Sequence, residues 1–303
     1  MPSDGAAGAS RLETHERPEH VIVLGFENHD HTSIVGNLAD APYINGTLLP
    51  AYAHADAFMD PFPIPTPSEP HYIFMEAGTA TFDDVTFASN ADPSATNSTS
   101  STAHLSTQLE AAGLDWRSFQ EGIDETSGAC PIHPSGFYQP KHDPFIFFQD
   151  VSGSPPDGEN ARCAAHHAGF DAFFAIIDGD GALPAYSFVT PDRCHDMHGQ
   201  DGCPNSNLVN AGDEWLSTHL PRMLRWAEAH RGVIFLMWDE GVTTTRVPFV
   251  AIGPSIKKGY VGGVPLTHGS LVKTVERIFR LPILSTVADT NDFGDLFADG
   301  ALP

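Results

Sequence analysis

Two unbroken apolar runs constrain this chain more than any other feature. His20–Asn28 reads HVIVLGFEN and Gly232–Gly241 reads GVIFLMWDEG. Neither alternates apolar with polar residues, so each predicts a strand buried on both faces of a parallel sheet. Shorter apolar runs at 145–151 (FIFFQDV), 185–192 (AYSFVTPD) and 247–254 (VPFVAIGP) predict further strands. Helical patterns separate them: 69–78 with a Gly stop, 104–116 ending at Gly113, 213–232 interrupted by Pro221, and 270–282 closing the chain. Strands that alternate with helices predict an α/β fold with a doubly wound, largely parallel central sheet flanked by helices. Residues 1–17 read as a flexible tail and 18–303 as a single domain. Residues 88–103, small and polar, read as an exposed loop.

Both long runs end in oxygen ligands, at the strand ends where open α/β sheets collect their functional groups. The first delivers Glu27 and Asn28, the second Asp239 and Glu240. Three carboxylates and an amide carbonyl form a hard donor set suited to Ca2+, Mg2+ or Mn2+. Acidic residues also end strands as caps and solvated turns, and each pair alone carries little weight.

Ser68 stands just before a helical pattern, with Pro70 in its first turn. A plain N-cap accounts for it. The functional alternative uses the same place: a helix N-terminus presents free N–H groups to a phosphoryl oxygen. A cation beside the hydroxyl would make it a nucleophile without a histidine base. Among 16 histidines, three stand out: His142 leading into a run, His198 in CHDMHGQDGC, and His268 just before the last helix.

The four cysteines allow three pairings. Cys194–Cys203, closing a short loop around Asp196 and His198, is favoured, with Cys130–Cys163 as the second bridge. Four free thiols are the alternative. Disulfides imply an oxidising compartment, and the polar N-terminus reads as a mature end left by a removed leader, so the expected location is secreted or periplasmic. The formal charge of −24 repels nucleic-acid backbones and anionic membranes. Two glycosylation sequons begin at Asn45 and Asn97, a match common by chance.

Six segments, in order, resemble the phosphoesterase family of bacterial acid phosphatases and phosphocholine-preferring phospholipases C, of the alkaline-phosphatase-like superfamily. FENHDHTSIVG resembles its opening E-N motif and TPSEPHY its nucleophile segment. KHDPF resembles its K/R-H-N-P motif, with Asp143 where asparagine is usual. PAYSFVTPDRCHDMHG resembles its N-D-M-H loop, with His195 in place of asparagine. MWDEG and LTHGSLVKTVERIFRLP match its second metal motif and last helix. The similarity spans about residues 18–298.

The resemblance implies one divalent metal ion held by Glu27, Asn28, Ser68, Asp239 and Glu240, with zinc also within the range of relatives. It implies Ser68 as nucleophile through a phosphoserine intermediate, and His142 and His198 lining the phosphate pocket. Asp196 would orient the histidine loop; His268 is a weaker candidate. The implied substrate is a small phosphorylated molecule, a monoester first and a phospholipase C-type diester or one particular metabolite as alternatives. A sulfatase is disfavoured, because its formylglycine signal needs Arg where Tyr72 stands. A non-catalytic cation- or sugar-phosphate-binding protein is disfavoured by the full set of Glu27, Asn28, Ser68, Asp239 and Glu240.

Overall fold

A computed structural model describes residues 17–124, 129–298, 301 and 302. The predicted tail falls almost wholly outside them. Eight strands form one sheet: β1 (His20–Phe26), β2 (Ala53–Ala55), β3 (Trp116–Gln120), β4 (His167–Ala168), β5 (Tyr186–Thr190), β6 (Gly232–Trp238), β7 (Phe249–Ile252) and β8 (Tyr260–Gly262). Their order is β4-β3-β5-β1-β6-β7-β2-β8. Every neighbouring pair is parallel except the two that β7 makes, with β6 and β2.

The two long apolar runs are the central neighbours β1 and β6. All seven residues of β6 are buried, as are six of the seven in β1. Burial on both faces is why neither run alternates.

The helices are α1 (His31–Ile34), α2 (Leu49–Ala51), α3 (Ser68–Ala77), α4 (Leu105–Ala111), α5 (Gln149–Ser152), α6 (Ala161–His166), α7 (Phe170–Asp178), α8 (Leu208–Ala229) and α9 (His268–Phe279). The longer ones flank the sheet: α3 packs on α9 and α4, and α7 packs on α8. Gly78 ends α3 at φ 67°, as its Gly stop predicts. A Cβ there would also run into Val287 Cγ1. One core of buried apolar side chains runs through both sets of elements.

Three local expectations are corrected. FIFFQDV is not a strand: Pro144–Phe147 is a 3-10 turn and α5 follows. Pro144 has no N–H for a ladder, and Asp143 turns the chain by accepting from the Phe145 N–H at 3.4 Å. The run is apolar because Phe145, Ile146, Phe147 and Phe148 are all fully buried. Second, α8 starts earlier than its apolar pattern and runs through Pro221 without a break. Asn207 caps it, accepting from the Asn210 N–H. Third, the chain leaves α8 through Arg231, at φ 53°, and Gly232 begins β6 rather than stopping the helix.

Both favoured disulfides are present, Cys130–Cys163 and Cys194–Cys203. The 88–103 loop is mostly exposed, with Ser98 and Thr99 buried inside it. The Asn45 amide of the first sequon donates to the Ile34, Asn37 and Ala41 carbonyls and is engaged in the fold. Among the described residues no helix is long and apolar enough to cross a membrane.

Candidate active site

Strand register assembles the site. Phe26 pairs with Trp238 at the ends of β1 and β6, so Glu27 and Asp239 emerge side by side. The Asp239 N–H donates to the Phe26 carbonyl at 3.0 Å. On the other flank of β1, β5 ends at Thr190 and leads into the loop of Asp196 and His198. That loop is tied back by the Glu27 N–H, which donates to the Asp196 carbonyl at 2.8 Å.

Asn28 sits at φ 41°, a left-handed conformation that asparagine tolerates better than most residues. The turn aims its N–H at Asp239 Oδ1, 2.9 Å away. Its carboxamide can turn NH2 onto Glu27 Oε2 at 2.9 Å and onto the Asp239 oxygens at 3.1 and 3.3 Å. As placed, the amide oxygen faces those carboxylate oxygens, the orientation that a cation held among these residues would favour.

Ser68 is not an N-cap. Pro67 holds that position, and Ser68 is the first helical residue with no side-chain capping bond. Its hydroxyl is free of helix duty and lies 3.1 Å from both Glu27 Oε2 and Glu240 Oε1. A single O–H can donate to only one of the two at a time. Across Pro67–Pro70 the supply of backbone donors is smaller than the helix-end argument supposes. The two prolines have no N–H, and the Glu69 N–H is taken by Asn90 Oδ1 at 3.0 Å.

The five residues expected to share a metal ion are therefore brought together: Asn28 with Asp239 and Glu27, and Ser68 with Glu27 and Glu240. The donor chemistry fits a divalent cation. Glu27 is fully buried and its Oε1 has no hydrogen-bond partner. Burial, reinforced by Glu27 and Glu240, pushes the Asp239 carboxyl well above the usual carboxylate range. Burial also pushes Glu240 up to about 7. Buried carboxylates in mutual repulsion are what a bound cation relieves.

His142 and His198 lie on the β5 side. His142 is buried, with Nε2 3.4 Å from Glu27 Oε1 and Nδ1 3.4 Å from Asp196 Oδ2. Its ring stacks on Tyr72 at 5.2 Å, and burial lowers it to about 3, so it is neutral at working pH. The His198 ring lies 6.0 Å from that of His142. Asp196 accepts from the His198 N–H at 2.7 Å. Between them Met197 adopts φ 78°, an uncommon conformation for its type. His268 is fully buried, with Nε2 donating to the Trp238 carbonyl at 3.0 Å. It backs the strand end that carries Asp239.

The two departures from the family motifs have other partners. Asp143 faces His167 at 3.0 Å and Ser118 at 3.3 Å. His195 pairs with Glu121 and Asp192 at 3.0 and 3.2 Å, and hydrogen bonds to those two raise it to about 10.

Four participants escaped the sequence. A nitrogen of His71 comes within 4.8 Å of oxygens of Asp239 and Glu240. Its ring is held by Asp60 Oδ1 and by the Pro67 carbonyl, both at 2.9 Å. Its signal was the i, i+3 spacing from Ser68, which puts both on one face of α3. Asp60 sits in a proline-rich stretch with no periodicity to mark it. Tyr72 lies in TPSEPHY and Arg193 in PAYSFVTPDRCHDMHG, where nothing in their spacing marks a role.

A family model described as "Phosphoesterase family" matches residues 45–282. No curated protein matches the chain. Among solved structures, an alkaline phosphatase superfamily protein from Vibrio parahaemolyticus superposes with TM-score 0.58 at 10% identity, covering 90% of this chain and 69% of its own. A phosphonate monoester hydrolase from Silicibacter pomeroyi gives 0.56 at 12%, covering 92% and 76%. Murine ectonucleotide pyrophosphatase/phosphodiesterase 5, an inactive variant in complex with AMP, gives 0.58 at 10%, covering 93% and 100%. At such identities the likeness is one of fold.

Proposed function

We propose, from the premise that this chain belongs to the phosphoesterase family, that it hydrolyses phosphate monoesters by attack of Ser68 on phosphorus. The observation that carries this reading is the Ser68 hydroxyl, released from helix capping and set 3.1 Å from both Glu27 and Glu240.

Glu27, Asn28, Ser68, Asp239 and Glu240 would hold one divalent ion, with Ca2+, Mg2+ or Mn2+ favoured by the oxygen donors. When bound, such an ion lowers the pKa of a coordinated hydroxyl and offsets charge on phosphoryl oxygens. Glu27 and Glu240 are placed to accept the Ser68 proton. Attack displaces the alcohol and leaves phosphate esterified to Ser68; water then releases it. His198 would line the phosphate pocket with His142, which stands 3.4 Å from both Glu27 and Asp196. Neutral His142 carries one N–H and so can serve one of those two carboxylates at a time. We read residues 18–303 as one catalytic domain, since all eight strands share one sheet. Two disulfides support an oxidising, extracytoplasmic location.

The test is phosphate release from monoesters, diesters and phosphocholine lipids, with and without chelator. Monoester turnover that chelator abolishes is expected. Turnover confined to diesters moves the reading to a phospholipase C-type enzyme, and no turnover with any ester ends it.

The Cys194–Cys203 bridge encloses Asp196 and His198. Its reduction is expected to lower turnover before the domain unfolds, because the loop no longer fixes His198. Cys194→Ser/Cys203→Ser and His198→Ala are expected to be strongly non-additive when combined. Kinetics on the three variants check this; simple multiplication of the two losses would show that the bridge acts elsewhere.

A further inference from the structure

The ladder between β1 and β6 ends at Phe26 and Trp238. Glu27 and Asn28 leave one strand there, and Asp239 and Glu240 leave the other. Past that point the gap between the two pairs is no longer set by strand pairing. It also decides what Ser68 meets, because its hydroxyl lies 3.1 Å from Glu27 on one side and 3.1 Å from Glu240 on the other.

Asp30 spans the gap. It stands in the N-cap position of α1, where aspartate is among the preferred residues, yet it makes no capping bond. Its carboxylate instead gathers the loop that follows Glu240. Oδ1 accepts from the backbone N–H groups of Val242, Thr243 and Thr244 at 2.8, 2.9 and 3.1 Å. Oδ2 accepts from the Thr243 hydroxyl. Three successive N–H groups aimed at one point form a nest, an arrangement that holds an anion. Here the anion is a side chain from the neighbouring strand end. The fit is close at Gly241, between Glu240 and the nest. A Cβ there would run into the Thr244 carbonyl and lie 2.9 Å from Asp30 Oδ1. Two backbone bonds flank the nest. The Asn28 N–H donates to Asp239 Oδ1 at 2.9 Å, and the His31 N–H to the Arg246 carbonyl at 2.9 Å. Asn28, Asp30 and His31 thus grip residues 239–246 in turn.

We propose that Asp30 is a positioning residue whose clasp fixes Glu240 relative to Glu27 and Asn28, and that this clasp makes the site favour a small, geometrically strict divalent ion over Ca2+. The inference rests on the five-residue metal reading above. Mg2+ demands near-octahedral oxygens at about 2.0–2.1 Å, whereas Ca2+ accepts a looser shell at about 2.3–2.6 Å. Ligand pairs free to drift apart therefore lose Mg2+ first. A role through charge alone would differ, because removing one carboxylate near a cation weakens every divalent ion alike.

The experiment uses the full chain and three variants: Asp30→Ala, Asp30→Asn and Thr243→Val. Calorimetry with Mg2+ alone and with Ca2+ alone reads the site without turnover. Asp30→Ala is expected to weaken Mg2+ binding about ten- to hundredfold, the scale on which loss of a partner that orients metal ligands is felt. Ca2+ binding is expected to fall only a few-fold. Asp30→Asn keeps an oxygen for the three N–H groups and is expected to stay within a few-fold of wild type for both ions. Thr243→Val removes one donor and is expected to lower Mg2+ affinity a few-fold with Ca2+ unchanged; it carries the comparison if Asp30→Ala does not fold. Hydrogen exchange on the metal-free protein is a second readout. The Val242, Thr243 and Thr244 amides are expected to exchange about tenfold or more faster in Asp30→Ala than in wild type. Equal losses of Mg2+ and Ca2+, an Asp30→Asn as weak as Asp30→Ala, or unchanged exchange at those amides would overturn the clasp. A wild type that binds neither ion would instead overturn the metal reading on which it rests.

Discussion

Ser68→Ala is expected to fold and to lose monoester hydrolysis by about 10^4-fold or more, the scale on which removal of a nucleophile is felt. Two physical facts set this expectation. The hydroxyl makes no capping bond, so α3 loses nothing by its removal. It is also 1% exposed and wedged between two carboxylates. Deleting the donor leaves Glu27 and Glu240 facing each other, so a stability loss of about 1–3 kcal/mol is expected in the metal-free variant. Kinetics on purified Ser68→Ala, with mass spectrometry of acid-quenched wild type for a phosphate adduct at Ser68, check both halves. Turnover within about tenfold of wild type would remove Ser68 as nucleophile. An adduct on another side chain would do the same.

The parts of this site legible in the sequence are those that strand register alone assembles. Glu27, Asn28, Asp239 and Glu240 follow the two central strands, and a parallel pair in register must deliver its carboxyl ends together. Burial on both faces left a run with no alternation, and that is what made β1 and β6 visible. The shorter strands were hidden for the opposite reason. β3 begins at Trp116, where the helical pattern of 104–116 was still running, and β2, β4 and β8 have two or three residues each. FIFFQDV misled because complete burial of a tight turn produces the same apolar run as a buried strand.

What remained illegible depends on contacts between distant segments. His71 becomes a neighbour of Glu240 only because α3 is docked beside the end of β6, and Asp60 reaches it from a proline-rich loop. Arg193 reads as one more loop residue until the disulfide folds it onto His198. The N-cap reading of Ser68 failed by one position: Pro67 already supplies the extended backbone before the helix. That single residue separates a serine with a structural task from one with an unused hydroxyl.

Asp239→Asn is expected to make the metal-free protein more stable while abolishing its response to divalent cations. In the metal-free state Asp239 is fully buried, and burial, Glu27 and Glu240 all disfavour its charge. Replacing it with a neutral isostere removes that repulsion. Wild type is expected to gain Tm on adding Mg2+, Ca2+ or Mn2+: saturation at a hundredfold above Kd contributes about 2.7 kcal/mol, or roughly 5–10 °C at about 2–4 °C per kcal/mol. The variant loses a ligand, so its shift and its turnover should vanish together. Titration gives an independent check. Glu240 is raised to about 7 when folded, from an unfolded value near 4.5. The folded protein therefore holds a proton that the unfolded chain has released, and the associated stability is fully present below about 4.5 and lost as pH rises to about 7. Metal-free wild type should melt lower at pH 8 than at pH 5, and a divalent ion should reverse most of that loss. Asp239→Asn removes a second buried carboxyl that holds its proton more tightly when folded than unfolded, so it should show a shallower slope. Melting curves at both pH values, with and without each cation, and elemental analysis of the purified protein decide the matter. A wild type whose Tm and turnover ignore both chelator and added cation has no metal at these five residues, and the activation of Ser68 would then fall to Glu27 and Glu240 alone.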